Sequence, residues 1–160
     1  MITASLKEIK SELSELDPDR LHAICLRLAR YKKENKELLT YLLFEAHDEQ
    51  GYVAHVKNDV EMLFEELPKG NVYYVKKGLR KILRHVNRQT KYSGEPRTEL
   101  EVRIFFCMKT LESKVPINAN TVLGNMFQQQ VKKIQSLLAK LPEDIQADCD
   151  QEMSAIFKAK

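Results

Sequence analysis

Eight cations and no carboxylate fall between Leu67 and Gly94: Lys69, Lys76, Lys77, Arg80, Lys81, Arg84, Arg88 and Lys91. A run of that kind does one piece of chemistry well, the electrostatic capture of anions, phosphate groups above all. Its spacing reads as one long helix. With Lys77 set at zero and about 100° added per residue, Lys81 falls near 40°, Arg84 near 340°, Arg88 near 20° and Lys91 near 320°. These five share an arc of roughly 80°, while Val75, Leu79, Ile82 and Val86 fall between about 140° and 200°. At about 1.5 Å per residue the cationic stripe is some 21 Å long, enough to follow several phosphates of a nucleic-acid backbone. Tyr73, Tyr74 and Tyr92 flank it and are of the type that stacks on bases. The candidate contact set is Lys77, Arg80, Lys81, Arg84, Arg88 and Lys91, within residues 72–92.

An opposite explanation uses the same residues. Glu45, Asp48, Glu49, Asp59, Glu61, Glu65 and Glu66 lie just upstream. A neighbouring helix carrying those acids would neutralise the stripe inside the fold. Residues 1–66 hold 9 basic and 14 acidic side chains, residues 67–94 hold 8 and 0, and residues 95–160 hold 9 and 9. Ordinary helix surfaces mix the two signs through i,i+4 pairs, so the one-sided run keeps both explanations open.

Other chemistry finds little support. Asp48, His55 and Asp59 would share roughly one side of a helix. A carboxylate-bridged di-metal bundle needs Glu-x-x-His pairs from two helices. The residues three before the histidines are Asp19, Phe44, Tyr52 and Ile82, so no such pair exists. No metal ligand, cofactor or catalytic residue is assigned, and the chain reads as a non-enzyme. There is no nucleophile elbow, no zinc-finger spacing, no RNA-recognition signature and no Gly-rich phosphate loop. A helix-turn-helix around Pro68–Lys91 is a weak match, because recognition helices are usually shorter. Cys25, Cys107 and Cys149 are far apart with no CxxC, and each lies on the apolar side of an expected helix. They read as small buried hydrophobes in a reducing compartment.

The elements that must carry these residues are helical throughout. Ile2, Leu6, Ile9, Leu13 and Leu16 form one stripe. Asp17-Pro18 starts a second helix, with Asp17 as cap and Pro18 in the first turn. Asn35 is the expected cap of a third. Leu38 to Ala46 is apolar nearly all round, which predicts a central helix. Val53, Val56, Val60, Leu63 and Leu67 continue, so residues 36–66 make one long helix or two with a break near Gly51. Asn71 caps the basic helix, which ends at Ser93-Gly94. Ile104-Phe105-Phe106-Cys107-Met108 has strand propensity but lies among helical spacings, which predicts a second central helix. Val115–Asn118 is a linker, Leu123–Leu141 a sixth helix, and Pro142 opens the last, with Ile145, Cys149, Met153 and Ile156 inward.

The expected fold is therefore all-α, six or seven antiparallel helices in one domain over residues 1–160, as a bundle or a short α-α superhelix. Five Gly, five Pro and a charged share of 31% suit that reading. No apolar run nears the roughly 18 residues of a membrane span. The first six residues lack the basic and apolar regions of a secretion signal, so a cytoplasmic location is expected and no membrane partner.

The stretch Leu6-Lys7, Leu13, Leu16, Leu21 to Leu28 and Arg30-Tyr31-Lys32-Lys33-Glu34-Asn35-Lys36-Glu37 resembles an uncharacterised group of small all-helical bacterial proteins. The likeness covers about the first quarter of the chain. It implies a helical fold and no function, and no site residue carries over. The reading that results is an interaction or scaffold module whose partner is another protein or a second copy of itself. Nucleic-acid backbone binding through residues 72–92 is the alternative.

Overall fold

Local capping chemistry sets most helix starts. In the computed structural model, which describes residues 2–118 and 121–158, α1 (Leu6–Ser14) begins with a reciprocal capping box between Ser5 and Glu8. Those hydrogen bonds from the Ser5 backbone and side chain hold the Glu8 carboxyl below its usual range. The Asp17 side chain accepts from the Arg20 amide at 2.9 Å to open α2 (Pro18–Tyr31), as expected for Asp before Pro. α3 (Lys33–Thr40) starts two residues earlier than its expected cap. Lys32 turns extended, and Asn35 instead donates from Nδ2 to the Leu28 carbonyl at 2.9 Å, capping the end of α2.

A single π-helical turn, Tyr41–Glu45, follows α3. The break before α4 (Glu49–Glu65) lies at Asp48, whose side chain accepts from the Gly51 amide at 3.0 Å. Gly51 therefore sits inside the first turn of α4 rather than at the interruption. α5 (Val72–Ser93) is capped by Asn71 and stops at Gly94, whose φ of 71° is the left-handed C-cap conformation that favours glycine. α6 (Pro96–Glu112), α7 (Val122–Leu138), α8 (Glu143–Asp148) and α9 (Asp150–Lys158) complete the described chain.

The described residues contain nine α-helices and no strand, more than the expected six or seven, because residues 36–66 divide before α4 at Asp48 and the last helix breaks at Cys149. Contacts divide the chain into two units, Met1–Phe44 and Glu45–Lys160. In the first, α2 and α3 pack on each other. None of the described residues of α1, α2 or α3 is buried.

The second unit is a helical bundle with α6 at its centre. α6 touches α4, α5, α7 and α9. Burial of Leu100, Val102, Ile104, Phe106 and Cys107 spreads around its circumference, the signature of a helix with neighbours on every side. The expected central helix over Leu38–Ala46 is corrected: only Tyr41 is buried there, and Leu42, Leu43 and Phe44 are exposed, Phe44 at 66%. Residues 104–108 form the centre instead, as helix and not strand.

Candidate nucleic-acid interface

The orientation of α5 follows from its two unlike faces. Val75, Leu79, Ile82 and Val86 are buried among α4 and α6. Full burial of such side chains is worth about 1.5–3 kcal/mol each, which fixes the rotation of the helix about its axis. The opposite arc must then face outward. Lys77, Arg80, Lys81, Arg84 and Lys91 are exposed, as the periodicity predicts, while Lys76 and Arg88 are half-buried. Arg88 is already engaged by another residue, so five of the six candidates project into water from this face.

The acids of α4 do not cover that face. Asp48 caps its own helix. Glu61 accepts from Lys109 Nζ at 2.6 Å, and Lys57 pairs with Glu101 at 3.3 Å, so ion pairs tie α4 to α6. Asp59 Oδ2 lies 3.3 Å from His85 Nε2, at the edge of the stripe. Glu66 reaches Lys81 at 3.8 Å, with both side chains largely in water. Pairs of that kind contribute little. Lys77, Arg80, Arg84 and Lys91 have no carboxylate within ion-pair distance among the described residues.

Two shallow grooves flank the cationic ridge. One, about 560 Å³, is lined by Tyr73, Lys76, Lys77, Arg80, Leu83, Arg84 and Asn87 of α5, with Met126 of α7 as its far wall. The other, about 290 Å³, runs on the opposite side between α5 and the α4–α5 turn, with Tyr74, Gly78, Lys81 and Leu67 among its lining residues. Lys77 and Arg84 line both, so they form the crest between them. Tyr73 and Tyr74 are 60% and 52% exposed, one to each groove. Sequence reasoning missed Lys76, Leu83, Asn87 and Met126. The first three recur with Tyr73, Lys77 and Arg80 at helical spacing, a signal that was present. Met126 comes from another helix and left none.

The larger hollow of about 740 Å³ where the α4–α5 turn meets the α6–α7 linker is of mixed charge. Its Lys109 already bridges Glu61 at 2.6 Å and Glu112 at 3.0 Å, and those hydrogen bonds, Glu61 first, raise the ammonium above its usual range. The candidate metal-side residues separate: Asp48 is a cap, Asp59 faces His85, and His55 is exposed. Among the described residues no group of three or more His, Cys, Asp or Glu is arranged to hold a metal ion. No helix among them is long and apolar enough to cross a membrane. No protein-family model, curated protein sequence or solved structure matches the chain, so function rests on this geometry.

Proposed function

We propose that the protein is a non-enzymatic, cytoplasmic macromolecular interaction protein that holds nucleic-acid backbone on the cationic face of α5. One observation carries this reading. Lys77, Arg80, Arg84 and Lys91 stand in water with no carboxylate partner among the described residues, although an acidic helix packs directly alongside. A fold that merely needed a soluble surface would place acids at i,i+4 on that face. Phosphate contacts from these side chains release counterions, which makes affinity fall steeply with salt.

The test is a salt series with labelled DNA and RNA against the protein and a Lys77→Glu, Arg80→Glu, Arg84→Glu variant. The slope of log K against log salt on duplex DNA should be near −4.5 if five cations reach phosphates, at about −0.9 per contact. The variant should lose binding while keeping its helicity and melting temperature, because these three cations make no ion pair among the described residues. An absence of binding at low salt by the unaltered protein would end the proposal.

A second reading, docking of another protein chain, is favoured by a separate observation. Leu6, Leu13, Leu28, Tyr31, Leu43 and Phe44 are exposed in the Met1–Phe44 unit, far more apolar surface than single scattered residues account for. Light scattering across a concentration series tests self-association first. A mass that stays at 18.6 kDa would assign the surface to a different chain.

A further inference from the structure

We infer that the nucleic acid held on α5 is single-stranded, with phosphates on the Lys77–Arg84 crest and a base stacked on Tyr73 in the larger groove. This rests on the backbone-binding reading above and adds the class of ligand to it.

The two tyrosines are the reason. Tyr73 and Tyr74 sit in the first turn of α5 with ring centroids 5.3 Å apart and ring planes at 80°. Each leans to its own side of the cationic crest. Their edge-to-face contact supports Tyr73 from one side and leaves it more than half exposed. Neither hydroxyl makes a hydrogen bond among the described residues, so the fold uses these rings for little. Lys76 Nζ lies 5.8 Å from the Tyr73 centroid, a cation held over an aromatic face at the groove wall. Groove and crest together put an aromatic surface and four cations within about three turns of α5, facing an apolar wall from Met126 of α7.

A duplex cannot use that arrangement fully. Its bases are stacked on each other, so it offers a helix its phosphates and base edges but not the flat base faces that stack on an aromatic ring. A single strand presents unstacked bases next to its phosphates, and aromatic side chains beside a positive groove are the common means of holding one. A hollow of about 560 Å³ is of the size that takes a small flat ligand. The stacking is sequence-tolerant, because every base has a π-face. Membrane headgroups or an acidic peptide would satisfy the cations but would leave the ring faces idle.

The experiment compares a labelled oligothymidine with a duplex of the same length, for the unaltered protein and for Tyr73→Leu, Tyr73→Phe and the charge-reversal variant. The single strand should bind at least tenfold tighter than the duplex. Tyr73→Leu should weaken single-strand binding by about 5- to 150-fold, the range expected for one lost stacking partner, and leave duplex binding and its salt slope unchanged. Tyr73→Phe, which keeps the ring, should restore it. The chain has no Trp, so quenching of tyrosine emission on addition of oligothymidine gives a direct reading of stacking, and it should shrink in Tyr73→Leu. Equal affinity for strand and duplex, or a Tyr73→Leu variant that binds both as before, would overturn the single-strand inference while charge reversal still abolished binding. No binding of either ligand by the unaltered protein would overturn the backbone reading along with it.

Discussion

Among the described residues, Arg103 is the one charged residue that is buried. Its side chain is 4% exposed, and it donates to Glu99 through Nε at 2.8 Å and to Gln130 Oε1 through Nη1 at 2.7 Å, with Nη2 also 2.6 Å from Glu99. A buried cation tolerates its site only while its acid stays in place. Glu99→Ala should therefore cost about 3–5 kcal/mol in a denaturant melt, although Glu99 itself is only partly buried. A loss below about 1 kcal/mol, the value of a surface pair, would mean that water reaches the guanidinium. Cys107, one turn further on, is sealed by the same packing. Burial pushes its thiol up to about 12, against the opposing charge of Arg103. Burial also raises Cys149, while Cys25 is the half-buried thiol. At pH 8 a thiol reagent should modify Cys25 in the folded protein and reach Cys107 only after denaturation. Fast labelling of all three would contradict this placement.

At the scale of elements, close approach matters as much as capping. Gly124, in the first turn of α7, lies against the preceding linker: a Cβ there would stand 2.1 Å from the Asn118 carbonyl oxygen. Thr121 pins the same join, accepting from the Gly124 amide at 3.0 Å and donating to the Asn118 carbonyl at 2.7 Å. Gly124→Ala gains about 1 kcal/mol of helix propensity but must move backbone, so a net loss of about 1–2 kcal/mol and a lower melting temperature are expected. A raised melting temperature would show that the linker yields freely. The features legible beforehand were local ones. Asp17, Asn71 and Gly94 mark helix ends through bonds made within a few residues, and the α5 stripes follow from its periodicity alone. The rest depended on partners. Leu42, Leu43 and Phe44 carry the composition of a core, yet only tertiary packing decides whether a helix surrounded by apolar residues finds neighbours on every side. Asn35 is a good cap by type, and it caps the end of α2 rather than the start of α3. Whether acids covered the cationic face was likewise a question of rotation between α4 and α5, which neither helix specifies alone. Met126 entered the groove from a helix about 50 positions away, a distance no local pattern spans.

Across the whole molecule, burial is unevenly shared. The large buried side chains belong mainly to α4, α5, α6 and α7, with Met153 and Ile156 from α9, while α1 to α3 bury none of their described residues. Helices of 8 to 14 residues are marginal in water without such burial. Amide exchange should be slow from α4 through α7 and fast along α1 to α3. Protection of α1 equal to that of α6 would show that its apolar stripe is covered by a partner in the sample. The central place of α6 also bears on how the protein is made. Synthesis runs from the N-terminus, and α4 and α5 leave the ribosome before the helix that covers them both. During that interval α5 is a bare amphipathic cation beside the ribosome's own RNA, with Leu79, Ile82 and Val86 still in water. Nascent chains arrested with α6 inside the tunnel should be cut readily within α4 and α5, and those arrested after α7 has emerged should resist. It is the emergence of α6, not of α4 and α5 themselves, that gives this protein a surface which distinguishes its cationic face from its core.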